Sequence, residues 1–145
     1  MAEHTFLFRE GLWRVEGEFL DGTGNRIAVE GTAQIRHYPD KWVYEGTLRT
    51  RTSQPAEHRT LYEIQPFAAG NFATSWTSQS ASLGSLRGRF LVVDDAILSA
   101  YESATGRYRG QDTIVRRDAM SYSARGALFD SAKLLSAWAV ELKAS

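Results

Sequence analysis

Apolar and polar residues alternate along most of the chain with the two-residue period of half-buried β-strands. In the first such run, residues 11–19, charged residues separate the inward positions Trp13, Val15, Gly17 and Phe19. Turn-forming residues separate the runs, and this spacing is typical of an antiparallel sandwich or barrel. The predicted strands are residues 12–20, 26–37, 41–51, 59–65, 71–80, 84–93, 96–103, 107–117, 119–129 and 131–143.

The last run, residues 131–143, fits two structures. Every second residue from Leu134 to Leu142 would form one face of a strand, whereas Leu134, Leu135, Trp138 and Leu142 form a helical stripe in an alanine-rich stretch. Topology favours a strand, because an even number of strands closes a barrel with antiparallel neighbours and leaves no open edge. We therefore predict an all-β protein, an antiparallel up-and-down β-barrel of about ten strands.

Length and composition narrow the class of protein. A chain of 145 residues suits one β-barrel domain over residues 1–145, and a formal net charge of 0 lacks the basic excess of a nucleic-acid-binding protein. The chain contains no cysteine, which excludes disulfides and thiolate chemistry. No run approaches the ~20 apolar residues of a membrane span, and the N-terminus does not resemble a secretory signal. We expect a cytoplasmic protein with no nucleic-acid partner and no membrane span.

Glycines recur at inward positions of several predicted strands. If each turn lies at the midpoint, Gly17 is opposite Gly31, Gly31 is opposite Gly46, and Gly110 is opposite Gly126. One interpretation is that glycine lets coiled strands bend and gives space to large neighbours. The other is that the missing side chains leave room for a ligand. Both can hold, because a barrel of about eight to ten strands can enclose a small molecule.

Gly11-Leu12-Trp13, at the start of the first predicted strand, resembles the Gly-x-Trp signature of the calycin superfamily. That group includes lipocalins, fatty-acid-binding proteins and nitrobindin-like ten-stranded barrels. The resemblance implies an up-and-down barrel in which the tryptophan closes one end and a basic side chain from the chain's end packs over it. Lys143 is the matching basic residue. Nitrobindin-like barrels bind haem through a histidine near the C-terminus, but the last histidine here is His58, so no haem is expected.

Aromatic residues occupy many inward positions and would supply apolar walls with several hydroxyl groups, which suits a small-molecule pocket, although ordinary core packing explains any single one of them. Inward serines favour a pocket, because a filled interior contains few hydroxyls. Asp112 falls on an inward face, where a buried carboxyl must be paired or hydrogen-bonded, or its pKa rises. It would either orient a ligand or lie solvated at the barrel mouth. The predicted ligand-binding residues are Trp42, Tyr44, Tyr62, Trp76, Ser78, Phe90, Ser99, Tyr101, Tyr108, Asp112 and Tyr122.

Three hypotheses about function follow. The favoured one is binding of a small, largely apolar molecule inside the barrel, without catalysis and without a cofactor. The second is an isomerase, cyclase or lyase that uses Asp112 and nearby tyrosines as acid and base. The third is a filled barrel acting through its surface, where Leu135, Ala137 and Ala139 would form an apolar edge for a homodimer. The chain has no nucleophile elbow, P-loop, dinucleotide fingerprint or histidine spacing typical of a metal site, so no catalytic or metal-binding residue is assigned.

Overall fold

Ten antiparallel strands form a closed barrel in the computed structural model, which describes residues 3–145. Each strand pairs with the next one in sequence, and β1 closes the barrel by pairing with β10. The strands are β1 (Gly11–Asp21), β2 (Arg26–His37), β3 (Trp42–Thr50), β4 (Glu57–Ile64), β5 (Ala73–Ser80), β6 (Gly84–Val93), β7 (Ala96–Ser103), β8 (Tyr108–Asp118), β9 (Ser121–Asp130) and β10 (Lys133–Ala144). The prediction of an all-β, up-and-down barrel is confirmed. Residues 3–145 contain no helix of the length and apolar character that crossing a bilayer requires.

The ambiguous last run is a strand. β10 pairs with β9 on one side and with β1 on the other, so its backbone polar groups are hydrogen-bonded on both edges. The ladder between β10 and β9 shifts register between Leu134 and Ser136, which is the mark of a β-bulge. Closure of the sheet therefore outweighs the helix propensity of the alanines.

Tight turns connect several of the strands where the sequence predicts them. Asp94-Asp95 joins β6 to β7, and Asp94 has a φ of 52°, in the left-handed region that aspartate tolerates. After β1, the Asp21 carboxylate accepts hydrogen bonds from the backbone N–H groups of Thr23 and Asn25. Hydrogen bonds from Thr23 and Asn25 lower the pKa of Asp21 to about 2, so the turn is held by an ionised carboxylate.

The inward glycines are not directly opposite one another, which corrects the predicted register. Gly17 is opposite Val29, Gly31 is opposite Leu48, and Gly110 is opposite Leu128. Each ladder is shifted by two residues from the prediction, because the turns are not centred where equal strand lengths would put them. Side chains alternate with a period of two, so this shift leaves every residue on its predicted face and changes only its neighbours.

Two of these glycines give space to large side chains on neighbouring strands. A Cβ atom on Gly88 would overlap the indole of Trp76, and one on Gly110 would overlap the ring of Tyr101. Each ring lies over the backbone of the adjacent strand at the position where no side chain projects. The interpretation that glycine accommodates large neighbours is therefore confirmed at these positions.

The N-terminal segment closes one end of the barrel, a feature that the alternation pattern does not predict. The buried residues of this segment are His4, Thr5, Phe6 and Leu7. The Tyr122 hydroxyl accepts a hydrogen bond from the Thr5 N–H at 3.0 Å and lies 2.9 Å from His4 Nδ1. Because His4 Nε2 is 2.8 Å from the Asp94 carbonyl oxygen, the Nε2 atom donates and Nδ1 accepts the Tyr122 proton.

Trp13 is buried at this closed end, as the calycin resemblance implies, but Lys143 does not cover it. Lys143 is opposite Arg14 and exposed on the outer face, because Leu142 takes the inward position of β10. Phe6 and Tyr122 pack edge-on against the Trp13 ring instead, at centroid distances of 5.4 and 5.6 Å. The role proposed for Lys143 was therefore wrong.

Candidate ligand-binding cavity

A cavity of about 600 Å³ occupies the barrel interior. Phe6 and Leu7 of the N-terminal segment line it at the closed end, and residues 57–60 and 80–83 line it at the opposite end, the mouth. Pockets for small molecules in proteins commonly measure about 300–1,000 Å³. The interior is therefore large enough for a ligand, and one end of it is sealed by the chain itself.

Adjacent strands share the fewest paired residues between β4 and β5. These strands pair only at Glu63–Thr77 and Ile64–Trp76, whereas β5 pairs with β6 along its whole length. The part of β4 nearer the mouth thus has no ladder partner on this side. His58, at this end of β4, lines the cavity and packs edge-on against Phe19 across the barrel at 5.9 Å. The divergence of β4 and β5 widens the route from the mouth to the interior.

Six of the predicted ligand-binding residues line this cavity. They are Tyr44, Tyr62, Phe90, Ser99, Tyr101 and Asp112. They come from β3, β4, β6, β7 and β8. The register places Tyr44 opposite Tyr62 and aligns Phe90, Ser99 and Asp112 across three neighbouring strands. That these side chains contact a ligand stays a prediction.

The other five predicted residues lie outside the cavity lining. They are Trp42, Trp76, Ser78, Tyr108 and Tyr122. Trp42 stacks on His37 at 4.1 Å near the closed end, and Tyr122 anchors the N-terminal segment. Trp76 lies behind Tyr62, with ring centroids 3.9 Å apart, and Tyr108 lies under the Arg107 guanidinium at 5.0 Å. Trp76, Ser78 and Tyr122 are buried and Trp42 packs against the core, whereas Tyr108 is half-buried and lies outside the core cluster.

Three tyrosines, each from a different strand, contribute to the cavity wall. The rings of Tyr44 and Tyr62 are 5.2 Å apart, and Trp76 behind them is 5.4 Å from the ring of Tyr101. Burial raises the pKa of Tyr44, Tyr62 and Tyr101 well above the ordinary value, and the nearby Asp112 carboxyl raises it further. These hydroxyls therefore stay protonated at any physiological pH and can donate hydrogen bonds into the cavity.

Asp112 is the acidic group in the middle of this wall. It lies between Ser99 on β7 and Gly126 on β9 in the sheet register, and its Oδ1 atom accepts a hydrogen bond from Trp138 Nε1–H at 2.6 Å. Trp138 is on β10, so this bond passes over β9 at Gly126. A Cβ atom on Gly126 would overlap Asp112 Oδ1 and lie 2.5 Å from the Trp138 ring. The missing side chain at Gly126 is thus what permits the hydrogen bond.

Burial raises the pKa of Asp112 to about 7, although the hydrogen bond from Trp138 acts in the opposite direction. Within residues 3–145 no lysine, arginine or histidine forms an ion pair with this carboxyl. The neighbouring Ser99 Oγ atom is buried without a hydrogen-bond partner in the same part of the chain. The cavity therefore contains a carboxyl group that changes protonation near neutral pH, beside an unpartnered hydroxyl.

Sequence reasoning placed Trp138 and Gly126 on inward faces of their strands but did not connect either of them to Asp112. The connection depends on the register across three strands, which alternation does not specify. In the region that the structure describes, no cluster of three or more histidine, cysteine, aspartate or glutamate side chains could hold a metal ion.

Comparison with known proteins yields a fold match only. No protein-family model matches the sequence, and no curated protein sequence is similar to it. A solved structure of the S-type phycobiliprotein lyase CPES from Guillardia theta matches with a TM-score of 0.67 and 9% sequence identity, over 94% of this chain and 88% of that one. The likeness shows the fold alone. It agrees with the closed barrel described above.

A second solved structure, an N-terminal dehydratase from the difficidin assembly line, covers 95% of this chain and 79% of its own. Its TM-score is 0.27 and its sequence identity is 10%. A likeness at that level supports no conclusion about fold or function.

Proposed function

We propose that this protein binds a small, largely apolar molecule inside its barrel and belongs among the calycin-like ligand-binding barrels. The observation that carries the proposal is the cavity of about 600 Å³, closed at one end by the N-terminal segment and lined by aromatic side chains. Apolar walls provide affinity through burial of ligand surface, while a few polar groups fix its orientation. Asp112 and the hydroxyl of Ser99 are such polar groups, in a wall that also contains several aromatic side chains.

The proposal is tested with N-phenyl-1-naphthylamine, an uncharged dye whose emission rises in apolar surroundings. We expect saturable binding to the wild-type protein, with one dye per barrel. Ala124→Phe should weaken this binding strongly, because Ala124 is buried and lines the cavity, so the new ring would take up ligand space. Ala100→Phe is the matched control, since Ala100 is exposed on the outer face of β7.

Two results would contradict the proposal. One is wild-type protein that does not bind the dye. The other is binding that Ala124→Phe leaves unchanged while the variant keeps the circular dichroism spectrum of the wild type. Native mass spectrometry of freshly purified protein adds a direct search for a co-purified molecule.

A second candidate function is chemistry on the bound molecule, as in the lyase hypothesis. The observation that favours it is the position of the Asp112 carboxyl, which lines the cavity and has Trp138 Nε1–H as a hydrogen-bond donor. Burial raises the pKa of this carboxyl to about 7, a value suited to proton transfer at neutral pH. The fold match to a protein described as a phycobiliprotein lyase is compatible with this candidate. Once a natural ligand is identified, Asp112→Asn separates the two functions. A binding protein leaves its ligand chemically unaltered with either residue, whereas an enzyme converts the ligand and loses this turnover on the substitution.

A further inference from the structure

We propose that the molecule held in this barrel carries a protonated nitrogen and that Asp112 recognises it against the aromatic wall. This inference rests on the proposed binding function and names the chemical class of the ligand. It follows from which charges and hydrogen-bonding groups the cavity contains and which it lacks.

The first step is that Asp112 has no basic partner on any strand that faces it. On β10 its neighbour is Trp138, an uncharged donor, and on β7 the inward neighbours are Ser99 and Tyr101. The adjacent inward residues of β9 are uncharged, because Arg125 projects outward and is exposed. Arg116 shares the inward face of β8 but lies four residues further along, about 13 Å at the usual rise of a strand.

Across the barrel, the titratable groups that face Asp112 are Tyr44 on β3 and Tyr62 on β4. Both hydroxyls are uncharged, because burial raises their pKa. The charged side chains that line the mouth are Glu57 and Arg59, which lie 3.8 Å apart on the exposed part of β4. His58, between them in sequence, also lines the mouth. Away from the mouth, the cavity lining within residues 3–145 therefore holds one acidic side chain, Asp112, and no lysine, arginine or histidine.

The second step is that a buried carboxylate is costly unless a positive charge or several hydrogen bonds compensate it. Trp138 supplies one hydrogen bond, to Oδ1. A ligand ammonium or protonated ring nitrogen would supply the missing charge and would also bring N–H donors. An anionic ligand would instead face the carboxylate at short range, and no basic side chain lines the cavity beside Asp112 to offset the repulsion.

The third step is that the surrounding groups suit a cation. The ring faces of Tyr44, Tyr62 and Tyr101 attract positive charge, and such contacts strengthen when water is excluded. Ser99 Oγ, buried without a partner beside Asp112, offers an acceptor for a second N–H. The apolar remainder of the cavity suits an aromatic or aliphatic body attached to the charged nitrogen.

The test uses three naphthalenes of nearly equal size that displace N-phenyl-1-naphthylamine at pH 8. They are 2-naphthylmethylamine, a cation at this pH, 2-naphthylmethanol, which is neutral, and 2-naphthoate, an anion. A charge-assisted hydrogen bond to the carboxylate should make the amine bind at least about tenfold more tightly than the alcohol. The anion should bind most weakly, and Asp112→Asn should remove the preference for the amine over the alcohol.

The wild-type protein provides a second measurement that does not depend on any substitution in the cavity. Lowering the pH from 8 to 6 protonates Asp112, so the affinity for the amine should fall about tenfold, whereas the affinity for the alcohol should stay constant. His58→Asn controls for the histidine at the mouth and should leave this pH dependence unchanged.

The outcomes separate the two proposals. If the alcohol and the amine bind equally well at pH 8, or if Asp112→Asn keeps the preference for the amine, the inference about charge is wrong and the binding function stands. If His58→Asn abolishes the pH dependence, Asp112 is not the group that recognises the cation. If neither the dye nor any of the three naphthalenes binds, the proposed function itself fails.

Discussion

Replacing Asp112 with asparagine should make the protein more stable at alkaline pH. The folded protein holds the Asp112 proton up to a pKa of about 7, whereas the ordinary value is 3.8. Between these values the unfolded chain binds fewer protons than the folded one, so the stability of the wild type falls as the pH rises. At 1.36 kcal/mol per pKa unit, ionisation of this carboxyl lowers the free energy of unfolding of the wild type by about 4 kcal/mol between pH 4 and pH 8. Asparagine keeps the size and an oxygen acceptor for Trp138 but has no proton to lose.

Urea-induced unfolding, followed by circular dichroism at several pH values from 4.5 to 8, measures the effect. The difference in free energy of unfolding between Asp112→Asn and wild type should increase steadily to pH 7 and then level off. Asp21→Asn is the matched control, because the pKa of Asp21 is shifted in the opposite direction to that of Asp112. Hydrogen bonds lower the pKa of Asp21, so its contribution is present above pH 4 and is lost as the pH falls towards 2. Difference curves for Asp112→Asn that stay flat across this range would refute the burial of an unpaired carboxyl.

Three other substitutions test the contacts around the cavity and its closed end. Trp138→Phe removes the hydrogen bond that opposes the effect of burial, so the pKa of Asp112 should rise above 7. Titration of the carboxyl ¹³C signal by NMR measures this pKa, and a pKa that falls or stays the same would contradict the prediction. Gly126→Ala forces a Cβ atom against the Asp112 carboxyl and the Trp138 ring, so the free energy of unfolding in urea should fall by about 1–3 kcal/mol. An unchanged free energy would show that the strands adjust freely. Tyr122→Phe leaves buried groups of the N-terminal segment unpaired and should lower the free energy of unfolding by about 1–3 kcal/mol. Tyr108→Phe is its control and should leave the free energy of unfolding unchanged, since the Tyr108 hydroxyl makes no hydrogen bond within residues 3–145. Equal losses for the two tyrosine variants would show that the N-terminal segment does not depend on this hydroxyl.

The alternation of apolar and polar residues was sufficient to predict the architecture. Buried strands with a period of two, short turns and an even strand number leave few alternatives to a closed antiparallel barrel. The same pattern assigned Asp112, Tyr44 and Ser99 to the inward face, because a side chain's face depends only on the parity of its position. For β10, sequence periodicity alone was ambiguous, and the need to close the barrel decided the outcome.

The register and the course of the N-terminal segment came only from the tertiary structure. A shift of two residues in a ladder leaves every face unchanged but replaces every cross-strand neighbour, so the sequence pattern could not show that Gly126 separates Asp112 from Trp138. It likewise could not show which inward aromatics reach the cavity and which, like Tyr122, hold the segment that closes the barrel. Local alternation reports whether a side chain points into the barrel. Its neighbours there depend on turn geometry and on segments outside the sheet, which form only when the whole chain has folded.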